Sequence, residues 1–182
     1  LDRIQCGSVA ESVVRKAPVP VLLFRSQVRW PTDRPPRILV PLDGSERSAT
    51  ILPVVAGLAR PLHPVIELLH VLEPVAPEPY LDRALSLPGE SAGSAEARDY
   101  LQRAAAPLTA QALKVECAVL EGPAVAMITS HAADSGADLV AMSTHGRSGV
   151  TRPLVGSVAE EVLRSADVPI LLWRMPVAAA AP

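Results

Sequence analysis

The sequence predicts an α/β domain built on an open, five-stranded parallel sheet with helices on both faces. Three observations predict it. Apolar runs of strand length alternate with segments at helical spacing, in the order βαβαβαβαβ. The strand runs are nearly continuous in Val, Ile and Leu, as required when both faces are covered. Strands that alternate with helices are joined by crossovers, which make neighbouring strands parallel.

Each element has its own signal. Arg37-Ile38-Leu39-Val40-Pro41-Leu42 is a short apolar run that predicts the first buried strand. Asp43-Gly44-Ser45 predicts a turn and a helix start, and residues 46–59 continue at helical spacing despite Pro53 and Gly57. Val65 to Val71 predicts the second strand. Residues 74–95, rich in Pro, Glu, Ser and Gly, predict a long insertion, followed by a helix over 95–112 that contains Pro107. Val115 to Leu120 predicts the third strand, and Pro123 opens a helix running to about Asp134. Asp138 to Ser143 predicts the fourth strand, 157–165 the last helix, and Val168 to Trp173 the last strand. The Ala/Pro tail, residues 176–182, is expected to fray.

Composition excludes several function classes. Hydrophobic residues are 49% of the chain and charged residues 20%, an ordinary globular balance rather than a disordered one. Lys+Arg 17 against Asp+Glu 19 leaves a net charge of −2, so no global electrostatic case exists for nucleic acid or an anionic membrane. Aromatics are only 3%, which argues against base stacking as a working mode and demands an aliphatic core. No apolar run approaches the ~18 residues of a membrane span. Cys6 and Cys117 form no CxxC and no metal-ligand spacing, which fits a reducing, cytoplasmic setting.

An internal repeat sets the expected organisation. Residues 7–25 (GSVAESVVRKAPVPVLLFR) and 156–174 (GSVAEEVLRSADVPILLWR) agree at thirteen of nineteen positions, at an offset of 156 − 7 = 149. That offset is one domain length, so the repeat predicts duplication of a whole domain rather than a short solenoid unit. The simplest expectation is a piece of a two-domain protein: residues 1–25 as the last helix and strand of a first domain, a Pro-rich linker over 26–36, and a complete domain over 37–175. The alternative is an intact chain that donates its N-terminal helix and strand to a partner. The apolar strands 19–24 and 168–173 are expected to pair antiparallel, within one chain or in a homodimer.

Ligands of open α/β sheets bind beyond the carboxyl ends of the strands, where the strand order reverses. Asp43-Gly44 follows the first strand, Val71 ends the second, and Ser143 to Gly149 follows the fourth and leads to Gly156-Ser157. A helix beginning at Gly156-Ser157 presents free N–H groups and a positive dipole end, a ready phosphate site. Gly146 and Gly149 permit close approach of backbone to a ligand. Asp43 could accept from ribose hydroxyls. Together these predict a nucleotide over the sheet edge, phosphates at the loop and helix start, the sugar at Asp43, and the base near Leu42 and Val71. Each residue also has a structural reading: Asp43 as a helix cap, Val71 and Met142 as core, Ser157 as a plain first-turn residue, His145 and Arg147 as solvated loop.

Val-Pro-Leu-Asp-Gly-Ser, then Leu-Leu-His-Val, then Ser-Thr-His-Gly followed by nine residues and Gly-Ser-Val-Ala-Glu, resembles the universal stress proteins. The resemblance covers about residues 37–174, and residues 1–25 resemble the end of a second such domain, as in a tandem protein. It implies an adenine nucleotide alpha hydrolase-like fold with strand order 3-2-1-4-5, dimerisation through the last strand, and, in an ATP-binding subgroup, a G-x-x-G-x₉-G-S/T motif. Here that motif runs from Ser143 through Gly146 to Gly156 and Ser157, with Ser143 in place of the leading glycine. By resemblance, Asp43 meets the ribose, Val71 meets the adenine with Met142 lining the pocket, and Gly146, Gly156, Ser157 and Val158 cradle the phosphates of ATP with its Mg. The candidate set also includes Leu42 near the base, Ser143, whose side chain narrows the space beside the ligand, and Arg147, which could meet phosphate from the loop. A stress-response module switched by ATP is the function this implies. A nucleotide-free dimeric scaffold and a slow ATPase are the alternatives. No Walker A, nucleophile elbow or paired acid marks a catalytic centre.

Overall fold

A computed structural model describes residues 12–14, 16–24, 30–73, 92–144 and 156–174. Within them the chain runs β1 (Val21–Leu23), β2 (Arg37–Pro41), α1 (Glu46–Ala49), α2 (Leu52–Leu62), β3 (Val65–Leu72), α3 (Ala92–Thr109), β4 (Lys114–Glu121), α4 (Ala124–Asp134), β5 (Leu139–Ser143), α5 (Ser157–Ser165) and β6 (Ile170–Trp173). The sheet order is β1-β6-β5-β2-β3-β4. From β2 to β6 every pairing is parallel, and this part reproduces the expected order 3-2-1-4-5. β1 adds a sixth, antiparallel strand at the β6 edge, as the repeat predicts for strands 19–24 and 168–173.

Two aliphatic cores sandwich the sheet. Ile38, Val40, Ile66, Leu68, Ala141 and Leu171 project to the α1–α3 side, against Ile51, Val55, Leu101 and Leu108. Leu39, Leu69, Val140, Met142, Ile170 and Leu172 project to the other side, against Ile128 and Ala132 of α4 and Ala159 and Val162 of α5. Alternation along β2, β5 and β6, with both sets apolar, is what continuous apolar runs produce when both faces are buried.

Three boundaries depart from expectation for local reasons. The helix expected over 46–59 is split: Ser45 caps α1, Thr50 Oγ1 turns back onto the Arg47 carbonyl, and α2 restarts with Pro53 in its first turn, where proline's missing N–H costs nothing. α3 starts at Ala92, inside the expected insertion, and keeps Pro107 within the helix. Pro123 is the N-cap of α4 rather than its first helical residue, and Glu73 Oε1 accepts from the Ala124 N–H at 3.3 Å. The last residues of the expected linker are anchored: Arg34 makes a two-pronged ion pair with Asp138, both N–O distances 2.8 Å, and the Pro36 carbonyl accepts from Val65 N–H.

A polar network lies at the amino-terminal half of the sheet, where the sequence offers no hint of one. Glu67 on β3 is 7% exposed. Its Oε1 lies 2.7 Å from His131 Nε2 of α4, and its Oε2 3.2 Å from Arg37 Nη1 of β2. Arg37 also reaches Glu116 of β4 at 2.7 Å, and its backbone N–H donates to Asp138. Leu39, Glu67 and Glu116 stand in one cross-strand row, so Arg37 ties β2, β3 and β4 from the side.

Candidate functional site

The chain runs outward from β2 through β3 to β4, then returns to β5 on the opposite side of β2. The switch point therefore falls between the carboxyl ends of β2 and β5. Register places the expected residues there. Pro41 pairs with Leu69, which sets Leu42 and Asp43 level with His70 and Val71. Leu39 pairs with Val140, which brings Met142 and Ser143 beside the β2 exit.

The β2 exit is a rigid turn. Leu42 N–H donates to the Leu69 carbonyl at 2.8 Å, prolonging the ladder beyond Pro41. The Leu42 carbonyl lies 2.8 Å from His70 Nδ1. A carbonyl only accepts, so Nδ1 carries the proton. His70 is buried and meets Tyr100 of α3 edge-on, with ring centroids 5.8 Å apart. Gly44 follows with φ +87°, a left-handed conformation that a side chain resists. Asp43 Oδ1 accepts from Ser45 N–H at 3.0 Å and from Ser45 Oγ at 2.6 Å. Ser45 Oγ in turn accepts from Ser48 N–H at 3.1 Å, and Ser48 Oγ donates to the Ser45 carbonyl. Ser45 is thus the helix cap, and Asp43 orients it. Asp43 itself is partly exposed at the rim.

The β5 exit is stitched to α5. Thr144, only 2% exposed, donates its N–H to the Trp173 carbonyl at 2.8 Å and accepts Gly156 N–H at 2.6 Å. The loop that leaves after Thr144 therefore comes back to the same point on the sheet edge. Gly146 and Arg147 lie in that loop, outside the described residues. Gly156 is the N-cap of α5, with φ −58° and ψ 148°, and no side chain caps the helix. Its first-turn N–H groups are the ones a helix leaves without intrahelical partners. Ser157 opens the helix at the surface.

The remaining expected residues sit in the cores just beneath. Leu42 is 2% exposed on the α1–α3 side. Met142 is 6% exposed on the other side, with Val71 and Val158 packed against the same cluster. Ser143, half-buried, ends β5 opposite Trp173. The fold thus collects Leu42, Asp43, Val71, Met142, Ser143, Gly156, Ser157 and Val158 at one edge. Sequence reasoning missed Thr144, whose backbone does the stitching. No residue-type signal could have revealed it, because the bonds are main-chain. Among the described residues no group of three or more His, Cys, Asp or Glu could hold a metal ion. None of the described helices is long and apolar enough to cross a membrane.

A parallel sheet with helices on both faces, and a strand-order switch point beside the exits of β2 and β5, defines a doubly wound α/β protein. Residues 36–174 match the Universal stress protein family, and the chain belongs to it. It is 27% identical over 147 residues to Universal stress protein MJ0531 of Methanocaldococcus jannaschii, covering 77% of this chain and 82% of that protein. It is also 27% identical over 172 residues to Universal stress protein Slr1230 of Synechocystis, covering 92% of this chain but 51% of that relative, so it spans about half the relative's length. Among solved structures, a universal stress protein in complex with cAMP superposes with a TM-score of 0.58 at 20% identity, covering 78% of this chain and 98% of that one. A universal stress protein from Archaeoglobus fulgidus superposes with a TM-score of 0.63 at 19% identity, covering 98% of this chain and 59% of that one. At these identities the superpositions speak for the fold.

Proposed function

We propose that the chain is a stress-response module that binds ATP at the switch point and uses it to change conformation or partner. The observation that carries the reading is the Thr144–Gly156 bond, which holds the uncapped start of α5 at the same sheet edge as Asp43. In this reading Ser157 and Val158 supply first-turn N–H groups to the phosphates, Asp43 accepts from the ribose, and Gly146 and Arg147 approach from the loop. The base lies over the ends of β2 and β3, near Leu42 and Val71, with Met142 below. Magnesium arrives on the phosphates, since the described residues offer no ligand cluster of their own. The complex of one structural neighbour with cAMP supports an adenine nucleotide as the ligand class. Two cysteines, with Cys117 unpaired, fit a reducing cytoplasm.

Ser143 favours a second reading. A side chain at the end of β5 stands where a nucleotide-binding relative would have glycine, and this supports a nucleotide-free scaffold that works by association. Titration calorimetry with Mg-ATP separates the two readings. Heat and a thermal shift that vanish in Gly156→Val support binding. No heat, with Ser143→Gly equally silent, overturns it. ATP binding that appears only in Ser143→Gly establishes the scaffold reading for the natural sequence.

A further inference from the structure

The peptide joining Leu42 to Asp43 lies just past the end of β2, where the strand ladder no longer sets its orientation. Two buried side chains hold it instead, one at each end of its dipole. His70 Nδ1–H of β3 donates to the Leu42 carbonyl at 2.8 Å, and Ser48 Oγ of α1 accepts from the Asp43 N–H at 3.3 Å. His70 and Ser48 are each 6% exposed. On the same side of β3 stand Ile66 and Leu68, so the imidazole occupies what is otherwise an aliphatic row. A buried polar ring is costly in such a row unless it is hydrogen-bonded.

The bonds around Ser48 close a circuit. Ser48 Oγ donates to the Ser45 carbonyl at 2.8 Å, and Ser48 N–H donates to Ser45 Oγ at 3.1 Å. Ser45 Oγ donates to Asp43 Oδ1 at 2.6 Å. The path that starts at the Asp43 N–H thus passes through Ser48 and Ser45 and returns to the Asp43 carboxylate. Backbone and side chain of Asp43 are fixed together. Tyr100 of α3 meets the imidazole edge-on, with 64° between the ring planes, and so steadies the ring that grips Leu42. The lock sits directly before Gly44, whose φ of +87° belongs to a residue with wide backbone freedom. Rotation of the Leu42–Asp43 peptide would swing the carboxylate relative to the ends of β2 and β3.

We propose that His70 and Ser48 are positioning residues for ligand selection, a role that rests on the ATP-binding reading above. By locking the Leu42–Asp43 peptide they hold the Asp43 carboxylate where it distinguishes a nucleotide with ribose hydroxyls from one without. Neither residue touches the ligand, and both act through Asp43. An ionised carboxylate only accepts, so hydroxyl donors are what it recognises. Such a bond adds affinity to the extent that its acceptor is ordered beforehand. A carboxylate set loose would lose the sugar preference, while contacts to phosphate at α5 and to the base at the end of β3 persist. A histidine whose role ended at satisfying the Leu42 carbonyl would alter stability and leave that preference intact.

Titration calorimetry with Mg-ATP, and with an ATP analogue lacking both ribose hydroxyls, tests the proposal. We expect wild type to prefer ATP by about tenfold, the worth of a hydrogen bond to a charged group. His70→Leu and Ser48→Ala should each bring ATP down to the affinity of the analogue and leave the analogue unchanged. His70→Asn, whose amide N–H stands near the place of Nδ1–H, should restore the preference. In the Asp43→Ala background, His70→Leu should cost nothing further, as expected of residues that act through one group. Circular dichroism establishes that each variant is folded at the titration temperature; if His70→Leu is not, Ser48→Ala and His70→Asn decide. The proposal falls if the folded variants keep the preference, if they weaken ATP and analogue alike, or if His70→Leu adds its loss to that of Asp43→Ala. A wild type that binds ATP and analogue equally overturns this proposal and leaves the ATP reading standing. A wild type that binds neither overturns both.

Discussion

Replacing Glu67 tests whether the buried ion network holds the sheet together. Its side chain is 9% exposed and bonds His131 Nε2 at 2.7 Å and Arg37 Nη1 at 3.2 Å. Glu67→Ala removes both contacts. Breaking a buried pair by deleting one partner typically costs ~3–5 kcal/mol, because the other charge is stranded. Here the stranding is partial. Arg37 is 25% exposed and keeps Glu116 at 2.7 Å, and His131 is 21% exposed and reaches water. The cost therefore falls to or below the bottom of that range, about 2–3 kcal/mol, with Glu67→Gln falling between this and wild type because the amide still accepts one bond. With a urea slope of roughly 2 kcal/mol/M, the midpoint should fall by about 1 M. Glu116→Ala, with a side chain 40% exposed, should cost under ~1 kcal/mol. Equilibrium urea unfolding followed by circular dichroism reads all three variants. Equal midpoints for Glu67→Ala and Glu116→Ala would refute the reasoning, since burial would then have no bearing on the pair. Nucleotide affinity should not move, because Glu67 lies four residues before Val71 on β3, toward the opposite end of the sheet.

Other outcomes follow from the same contacts. The hydrogen bond from Arg37, with help from Lys114, holds the Glu116 carboxyl below its ordinary 4.5, so the fold favours the charged form. Its contribution is present above that ordinary value and is lost as pH falls through the lower folded one. Glu116→Gln should flatten the acid limb of the stability profile slightly, by under ~1 kcal/mol, and an unchanged limb would count against the pair. In the 182-residue chain alone, Leu171→Ala should cost ~2–5 kcal/mol and Leu22→Ala about 1 kcal/mol, by thermal melting; equal losses would contradict the exposures. Gly122 has φ +146°, and an added Cβ would stand 3.0 Å from the Met127 side chain. Met127 can yield but the backbone cannot, so Gly122→Ala should cost ~1–3 kcal/mol, and a neutral melt would show that the β4–α4 turn relaxes. Asp43→Ala should weaken Mg-ATP binding at least tenfold in calorimetry while lowering stability only modestly, since Ser45 keeps its own bond to Ser48; an unchanged affinity would remove Asp43 from the site.

Strand identity was legible because the central strands are buried on both faces, so strand-length runs rich in Val, Ile and Leu mark them. Helix ends were less so. The break at Thr50–Ile51 follows from a serine cap and a side-chain bond to a carbonyl, whose geometry a composition window averages away. Asp43 illustrates the limit at the site. Its residue type fits a cap or a ligand contact equally, and only the folded turn shows that Ser45 does the capping while Asp43 braces it.

The amino-acid order by itself determined the strand and helix alternation, the duplication of the terminal helix and strand, and the Gly156-Ser157 helix start. These are local or periodic properties, encoded by hydrophobicity and backbone permissiveness at neighbouring positions. Tertiary structure alone decided that Glu67, His131, Arg37 and Glu116 meet, that Thr144 closes onto Gly156, and that Val13 and Leu22 lie bare where Val162 and Leu171 are covered. Those facts depend on which distant segments pack together, and no single stretch of chain contains them.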